Sequence, residues 1–251
     1  MPRFTTFRLA AVCALALLLT FVFTAIAAAK GPLAELRVVG SGGKVLAEKP
    51  VPMADTSVKT SPKAACFGPE NGGSGDSAQL KGNTAMGLLA SGSKTIPALQ
   101  PLLISDAFDF GIALCGVGSS VAKGSSSWYL KINHKSLAVG GDAAKIKAGD
   151  EVLWTLARAE APSYKYPSEL VLSAPDTAKA GMSFTVRVMA YDEKGRSKPQ
   201  AGAKVTGAAA PTGADGRTTV TLSKPAKLIA RATGEIPSAR APVCLGGKCP
   251  K

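Results

Sequence analysis

The sequence predicts a mainly β protein with a small α+β part. Residues with apolar and polar side chains alternate over Trp128–Asn133 and again over Phe184–Val188, the period of strands with one apolar face. Glycine and aspartate turn signals such as Asp215-Gly216 separate many short apolar runs. A single short helix is predicted after Asn83, which can cap it, with Gly92 just past its end.

The most informative stretch is Trp128–Leu156, which holds both tryptophans of the chain. Asn133-His134 occupies the place of a two-residue hairpin turn, and Asn tolerates the positive φ that such turns require. Further breaks are expected at Gly140–Asp142 and Ala148–Asp150. The strand that follows presents one apolar face, formed by Val152, Trp154 and Leu156.

This stretch resembles the small β domain at the C-terminus of transcobalamin-type proteins, which recurs in exported bacterial proteins of unknown function. The resemblance spans about residues 33–157 and rests on a Trp-Tyr strand ending in Ile-Asn, a Gly-Gly break and the run Lys147 to Trp154, Lys-x-Gly-Asp-x-Val-x-Trp. The family usually has Asn-Gly where this chain has Asn133-His134. The resemblance implies a β-grasp-like domain with a helix over one face, and it suggests a corrinoid as ligand.

Around the central stretch, the sequence predicts a hairpin over residues 35–47, with Pro50 and Pro52 ending its pairing. Residues 53–82 are predicted to form a long polar loop held through Cys66. Alternation from Phe108 to Leu114 predicts one strand running into Cys115.

After a linker at residues 161–167, which bears Tyr164 and Tyr166, short strands at regular spacing indicate a β-sandwich. The run Ala180 to Val188, Ala-Gly-x-x-Phe-x-Val-x-Val, and the turn at residues 213–217 are similar to bacterial immunoglobulin-like domains. The predicted organisation is a signal peptide (1–29), a transcobalamin C-terminal-like domain (30–160), the linker, an immunoglobulin-like β-sandwich (168–243) and a disulfide-closed tail (244–251).

The first 29 residues are predicted to be a secretory signal peptide cleaved near Ala29. Arg3 and Arg8 precede an apolar run that ends in small residues. We therefore expect a secreted or cell-surface protein that meets the membrane only through this segment during export. The net charge of +13 indicates a solvated basic surface or attraction to an anionic cell wall, lipid headgroups or acidic glycans. The sequence contains no basic helix of the kind that would suggest binding to nucleic acid.

Four cysteines lie beyond the signal peptide, and an even number in an exported chain suggests disulfides. Of three possible connectivities, we favour Cys66–Cys115 and Cys244–Cys249, the latter closing a short glycine-containing loop. Free buried thiols and a metal site are the alternatives. A metal site is poorly supported by one histidine and no Cys-x-x-Cys pair.

The sequence offers little catalytic chemistry and no cofactor motif. His134 is the sole histidine, so any histidine-based triad would need it, and we interpret it as a turn residue. Asp106 and Asp109 are expected on the surface. Trp128 and Trp154 are expected in the core, whereas Tyr129 points the other way and is the better candidate for a surface contact.

The functional prediction is an exported, non-enzymatic binding or adhesion module at or outside the cell envelope. Its candidate ligand-binding residues are Tyr129, Trp128 and His134, without a catalytic or metal-ligating set. The alternative is capture of a small, corrinoid-like molecule.

Overall fold

The computed structural model describes residues 31–159 and 165–250. The predicted signal peptide and Tyr164 lie outside the described residues. The described chain is mainly β with one α-helix, so the predicted fold class is confirmed. Two separate hydrophobic cores define an N-terminal module (residues 31–159) and a C-terminal module (residues 165–250).

The N-terminal module contains ten strands and the helix. Its elements are β1 (Leu33–Val39), β2 (Val45–Pro52), β3 (Thr56–Lys59), β4 (Ser77–Leu80), α1 (Ala85–Ser93), β5 (Leu102–Phe108), β6 (Gly111–Val117), β7 (Ser120–Val121), β8 (Ser126–Ile132), β9 (Lys135–Ser136) and β10 (Glu151–Arg158). Three short 3-10 turns lie at Ser41–Gly43, Pro69–Asn71 and Pro97–Leu99.

The main sheet of this module has the order β2-β1-β10-β8-β9. β1 and β10 run parallel, and the other pairs are antiparallel. The helix contributes Leu88 and Leu89 to the core, where they join Leu36 of β1 and Trp154 of β10. The central strands are therefore held between the helix and their neighbours, which fixes the position of β8 and its turn.

Several sequence predictions for this module hold and others are wrong. Asn133 and His134 both have positive φ, 49° and 68°, and they close the β8–β9 hairpin as predicted. Pro50 does not interrupt the pairing as predicted, and β2 ends at Pro52, the second of the two prolines named. β2 is an edge strand, where a proline costs no ladder hydrogen bond on its open side.

Three other boundaries also differ from the prediction. The helix is capped by Thr84, whose side chain accepts a hydrogen bond from the Gly87 amide, and not by Asn83. The predicted loop at 53–82 contains the hairpin of β3 and β4. The alternation around Phe108 continues across a tight turn, so it spans the β5–β6 hairpin and not a single strand.

The C-terminal module is built from short strands in packed sheets. They are β11 (Glu169–Ser173), β12 (Thr177–Ala178), β13 (Ser183–Tyr191), β14 (Ser197–Pro199), β15 (Lys204–Val205), β16 (Arg217–Thr221), β17 (Ala226–Leu228), β18 (Ala230–Arg231) and β19 (Ala241–Leu245). β13 pairs with β11, β14 and β16, while β19 pairs with β12 and β17. Apolar side chains from both groups, including Val188 and Val243, share one core.

The two modules meet through buried side chains. Val39 and Leu153 of the N-terminal module form a small apolar cluster with Ile236 of the C-terminal module. Arg37 donates from a guanidinium nitrogen to the Pro237 carbonyl at 2.9 Å. No helix among the described residues is both long enough and apolar enough to span a membrane.

Both predicted cysteine pairs are disulfides. Cys66–Cys115 ties the loop after β3 to β6, and Cys244–Cys249 closes the loop after β19. Disulfides persist in oxidising compartments, so the pair indicates an extracytoplasmic environment.

Candidate functional site

The β8–β9 hairpin carries all three predicted ligand-binding residues, but it presents them to different surroundings. Trp128 packs beside the N-terminal core. Tyr129 and His134 contact residues of the C-terminal module instead. Because successive strand residues face opposite ways, the hairpin has an apolar face toward its own core and a polar face toward the other module.

The apolar face borders a pocket with a volume of about 220 Å³. Its lining is dominated by aromatic and aliphatic side chains, and we call it the aromatic pocket. The lining residues are Phe67, Met86, Phe110, Ile112, Ala113, Leu114, Trp128, Tyr129, Leu130, Leu137, Val139, Gly140, Gly141 and Trp154.

The rim of the aromatic pocket exposes unusually large apolar side chains. Six large hydrophobic residues of the described chain are exposed, and four of them line this pocket: Phe67, Phe110, Leu137 and Val139. Phe110 is 67% exposed and Phe67 is 58% exposed. A soluble domain seldom gathers such residues at one place without a binding role.

Covalent and stacking contacts hold this rim in position. Phe67 follows Cys66, whose disulfide anchors it to β6. The Phe67 ring meets Phe108 edge-on at 5.7 Å between centroids, and Phe108 stacks on Phe110 at 4.8 Å. The disulfide therefore helps to place an aromatic row beside the pocket.

The loop after β9 forms the opposite rim. Asp142 accepts a hydrogen bond from the Ile112 amide at 3.2 Å, which fixes the loop to β6. Gly141 lies against the Trp154 ring, where an added Cβ would stand 2.4 Å from Cη2. A glycine is thus required for the loop to approach the indole closely.

The two indole N–H groups differ in their hydrogen bonding. Trp154 Nε1 donates to the Ala85 carbonyl at 3.3 Å. Trp128 Nε1 is shielded from solvent and has no acceptor among the residues that the structure describes. A buried donor without an acceptor costs about 1–3 kcal/mol, so a shift of the lining side chains that let a ligand acceptor reach it would be favoured.

The polar face of the hairpin contributes to a buried ionic cluster between the modules. It comprises Arg37 on β1, Lys131 on β8, His134 in the turn, Glu151 on β10 and Glu169 on β11. Glu169 is 1% exposed, and each of its carboxylate oxygens faces a cation.

The distances show how Glu169 is neutralised. Oε1 pairs with the Arg37 guanidinium and lies 3.1 Å from His134 Nδ1. Oε2 lies 3.3 Å from Lys131 Nζ. Lys131 Nζ also donates to the Tyr191 carbonyl at 3.1 Å. Burial acts to raise the pKa of Glu169, but His134, Arg37 and Lys131 outweigh it and lower the pKa.

Contact with the Glu169 carboxylate raises the pKa of His134, and burial opposes this shift only in part. Burial raises the pKa of Glu151 and lowers the pKa of Lys131. His134 was predicted to be a turn residue. It is one, and it also joins the two modules.

Ligand atoms of His134, Glu151 and Glu169 lie within 4.8 Å of one another, a spacing that could hold a metal ion. Two resident cations already occupy this space, because Arg37 and Lys131 both contact Glu169. A divalent ion would add charge next to them, so the arrangement favours an ionic lock between modules over metal coordination.

Tyr129 is half-buried between the modules and is not presented on a free surface. Its ring stacks on Tyr166 at 4.1 Å between centroids. Its hydroxyl contacts Ser136 and lies 3.3 Å from Glu193. Burial raises the pKa of Tyr129 to about 12, so the phenol stays neutral at physiological pH.

Sequence reasoning identified Trp128 but missed the rim of the aromatic pocket. Leu137 and Val139 fall in a glycine-rich loop, outside any predicted strand, and apolar residues in such a loop were the available signal. No protein-family model matches this chain, and a search of curated proteins gives no significant match.

Proposed function

We propose that this protein is an exported, non-enzymatic binding module that holds a ring-sized apolar group in the aromatic pocket. The observation that carries the proposal is the gathering of four exposed hydrophobic side chains, Phe67, Phe110, Leu137 and Val139, around one pocket. Burying them against a ligand would contribute about 25 cal/mol per Å² of apolar area.

Size and chemistry define the group that the pocket would accept. A cavity of roughly 150 Å³ accommodates a benzene-sized molecule, and the aromatic pocket has about 220 Å³. The free Trp128 N–H supports a ligand that offers a hydrogen-bond acceptor beside its ring. The expected ligand group is therefore one ring with one oxygen or nitrogen acceptor.

Two features support a location at or outside the cell envelope. The disulfides indicate an oxidising compartment. The predicted signal peptide would direct the chain there. In that setting the ring could belong to a free small molecule or to a group displayed on an envelope polymer.

Corrinoid capture, the alternative suggested by the resemblance, is less well supported by the dimensions of this pocket. Sites for drug-sized ligands are typically about 300–1,000 Å³, and a corrinoid is larger than most such ligands. A pocket of about 220 Å³ would hold one edge or substituent of it.

Cyclohexanol is the probe that tests the proposal. It has a ring and a hydroxyl acceptor, and it does not absorb light at the wavelengths that excite tryptophan. Both tryptophans line the pocket, so we expect saturable change of tryptophan fluorescence in the disulfide-bonded mature protein. The expected Kd is on the order of 1 mM for so small a probe.

The matched variants are Leu137→Ser in the rim and Met182→Ser, which removes an exposed hydrophobic side chain of the C-terminal module. Leu137→Ser should weaken cyclohexanol binding several-fold, and Met182→Ser should leave it unchanged. An absence of saturable change at about 50 mM cyclohexanol, or equal loss in both variants, would overturn the proposal.

A further inference from the structure

A second cavity lies between the two modules, and its lining residues differ from those of the aromatic pocket. Its volume is about 530 Å³, and we call it the inter-module groove. The N-terminal module lines it with the turn at residues 40–43 and the end of β10. The C-terminal module lines it with Gly202, Lys204 and residues 231–237.

The inter-module groove is positively charged. Arg158, Lys204 and Arg231 line it, and all three are exposed. Among the ion pairs within 4.0 Å in the described part of the chain, none involves these three residues. Their charge is available to an external anion.

Two of these cations are placed side by side by the fold. Lys204 on β15 and Arg231 on β18 are directly opposite each other in the antiparallel pair. Like charges at directly opposed positions of a sheet destabilise it. An anion bound between them would relieve this repulsion.

The turn of the N-terminal module fixes one of the two side chains. Arg231 donates from a guanidinium nitrogen to the Gly43 carbonyl at 3.1 Å. Gly43 has a φ of 71°, and an added Cβ would stand 3.1 Å from Pro237 and 3.5 Å from the guanidinium. Glycine therefore permits Arg231 to approach this turn. The single hydrogen bond to Gly43 leaves most of the five guanidinium donors for other partners.

One acidic residue, Glu235, also lines the inter-module groove. Glu235 accepts a hydrogen bond from the Ser168 amide at 2.6 Å through Oε2. Its carboxylate thus stabilises the chain that enters β11. Three cations from both modules remain around one open cavity.

We propose that the inter-module groove binds the anionic groups of a linear polyanion, taking phosphate or carboxylate between Arg158, Lys204 and Arg231. This inference goes beyond the apolar binding proposed above, since it uses other residues and another chemistry. Both modules supply cations, so a bound polymer would lie across their junction.

The test uses the mature, disulfide-bonded protein with inorganic polyphosphate and polygalacturonate as probes, and neutral dextran as reference. The groove variant is Arg158→Gln, Lys204→Gln and Arg231→Gln. The matched control removes three exposed lysines elsewhere, Lys123→Gln, Lys179→Gln and Lys224→Gln, so the two variants have the same net charge. Thermal unfolding verifies that both are folded.

We expect binding of at least one polyanion at low salt, weakened about tenfold by the groove variant and less than twofold by the control. Preference for polyphosphate assigns the groove to phosphate, and preference for polygalacturonate assigns it to carboxylate. The inference would be overturned by equal weakening in both variants, by binding to neutral dextran as strong as binding to the polyanions, or by no binding to either polyanion. Leu137→Ser should leave polyanion binding unchanged, so this test is independent of the aromatic pocket.

If the triple variant does not fold, Lys204→Glu alone replaces it. This single change reverses one exposed charge beside Arg231. It should weaken polyanion binding more than the matched reversal Lys179→Glu, and equal weakening by the two reversals would contradict the inference.

Discussion

The imidazole Nδ1 of His134 lies 3.1 Å from the Glu169 carboxylate, although the two residues belong to different modules. The N–H is not aligned as a hydrogen bond, so the contact is an ion pair when His134 is protonated. The His134 ring also lies 4.4 Å from the Tyr191 ring, between centroids. The turn of the β8–β9 hairpin is thus inserted against the C-terminal module.

Replacing Glu169 should destabilise the whole chain strongly. Glu169→Gln keeps the shape but leaves Lys131 buried without its counter-charge and leaves Arg37 with only Glu151, at 3.6 Å. Breaking a buried ion pair on one side costs about 3–5 kcal/mol, measurable by urea unfolding. The control Asp55→Asn removes an ion pair whose side chains are 66–71% exposed and should change stability by less than about 1 kcal/mol. Similar losses in the two variants would show that the cluster is not the inter-module lock.

The His134 contribution to stability should depend on pH. The pKa of His134 is raised in the folded protein, so its contribution is fully present below the unfolded pKa, near 6.5. It is lost as the pH rises through the raised folded value. Asn tolerates the positive φ of this position, so His134→Asn keeps the turn and removes the titration.

We therefore expect the stability difference between the parent protein and His134→Asn to be largest below about pH 6.5 and to shrink as the pH rises above it. This difference separates the titration of His134 from the charges that face it, which belong to Glu151, Glu169, Arg37 and Lys131. Urea unfolding at several pH values measures it. A difference that stays constant or grows with pH would contradict this assignment.

The two disulfides should contribute unequally. Cys66 and Cys115 are 49 residues apart, and Cys244 and Cys249 are 5 apart. On the chain-entropy model, replacing the first pair by serine costs about 4 kcal/mol and replacing the second about 2 kcal/mol. Because Cys66 holds Phe67 at the pocket rim, removing the first pair should also weaken cyclohexanol binding. Unchanged binding would show that the rim is positioned by other contacts.

Filling the space beside the Trp154 ring should reduce the volume of the aromatic pocket. In Gly141→Ala the new Cβ would stand 2.4 Å from the indole, and such overpacking costs about 1–3 kcal/mol. We expect lower stability and weaker cyclohexanol binding. Gly31→Ala, with no atom within 4 Å of the added Cβ, is the control. Full binding in Gly141→Ala would contradict the described closeness of loop and ring.

The sequence predicted those elements whose residue patterns lie within one short stretch of the chain. The alternation from Trp128 to Ile132 and the Asn133-His134 turn correspond to β8 and its hairpin. The alternation around Phe108 misled, because a tight turn at Asp109-Phe110 preserves the two-residue period across two different strands. Pattern alone does not distinguish one long strand from two joined in this way.

The ionic cluster could not be predicted, since its members are far apart in the chain and look like ordinary surface residues. Lys131 and Glu169 are each 1% exposed, and charged residues are seldom so buried unless they are paired. The one available signal was Arg37 between the apolar residues Leu36 and Val38, on a strand with both neighbours buried. Its partner was identifiable only from the packing of the modules.

The central claim, a ring-binding aromatic pocket with a free donor, is tested most directly by the indole N–H resonances of the mature protein in a cyclohexanol titration. The variant Trp128→Phe assigns the two signals. We predict a saturable shift of the Trp128 resonance as its N–H gains an acceptor, larger than the shift for Trp154, which already donates to Ala85. A Trp128 resonance that stays in place at about 50 mM cyclohexanol would contradict the account.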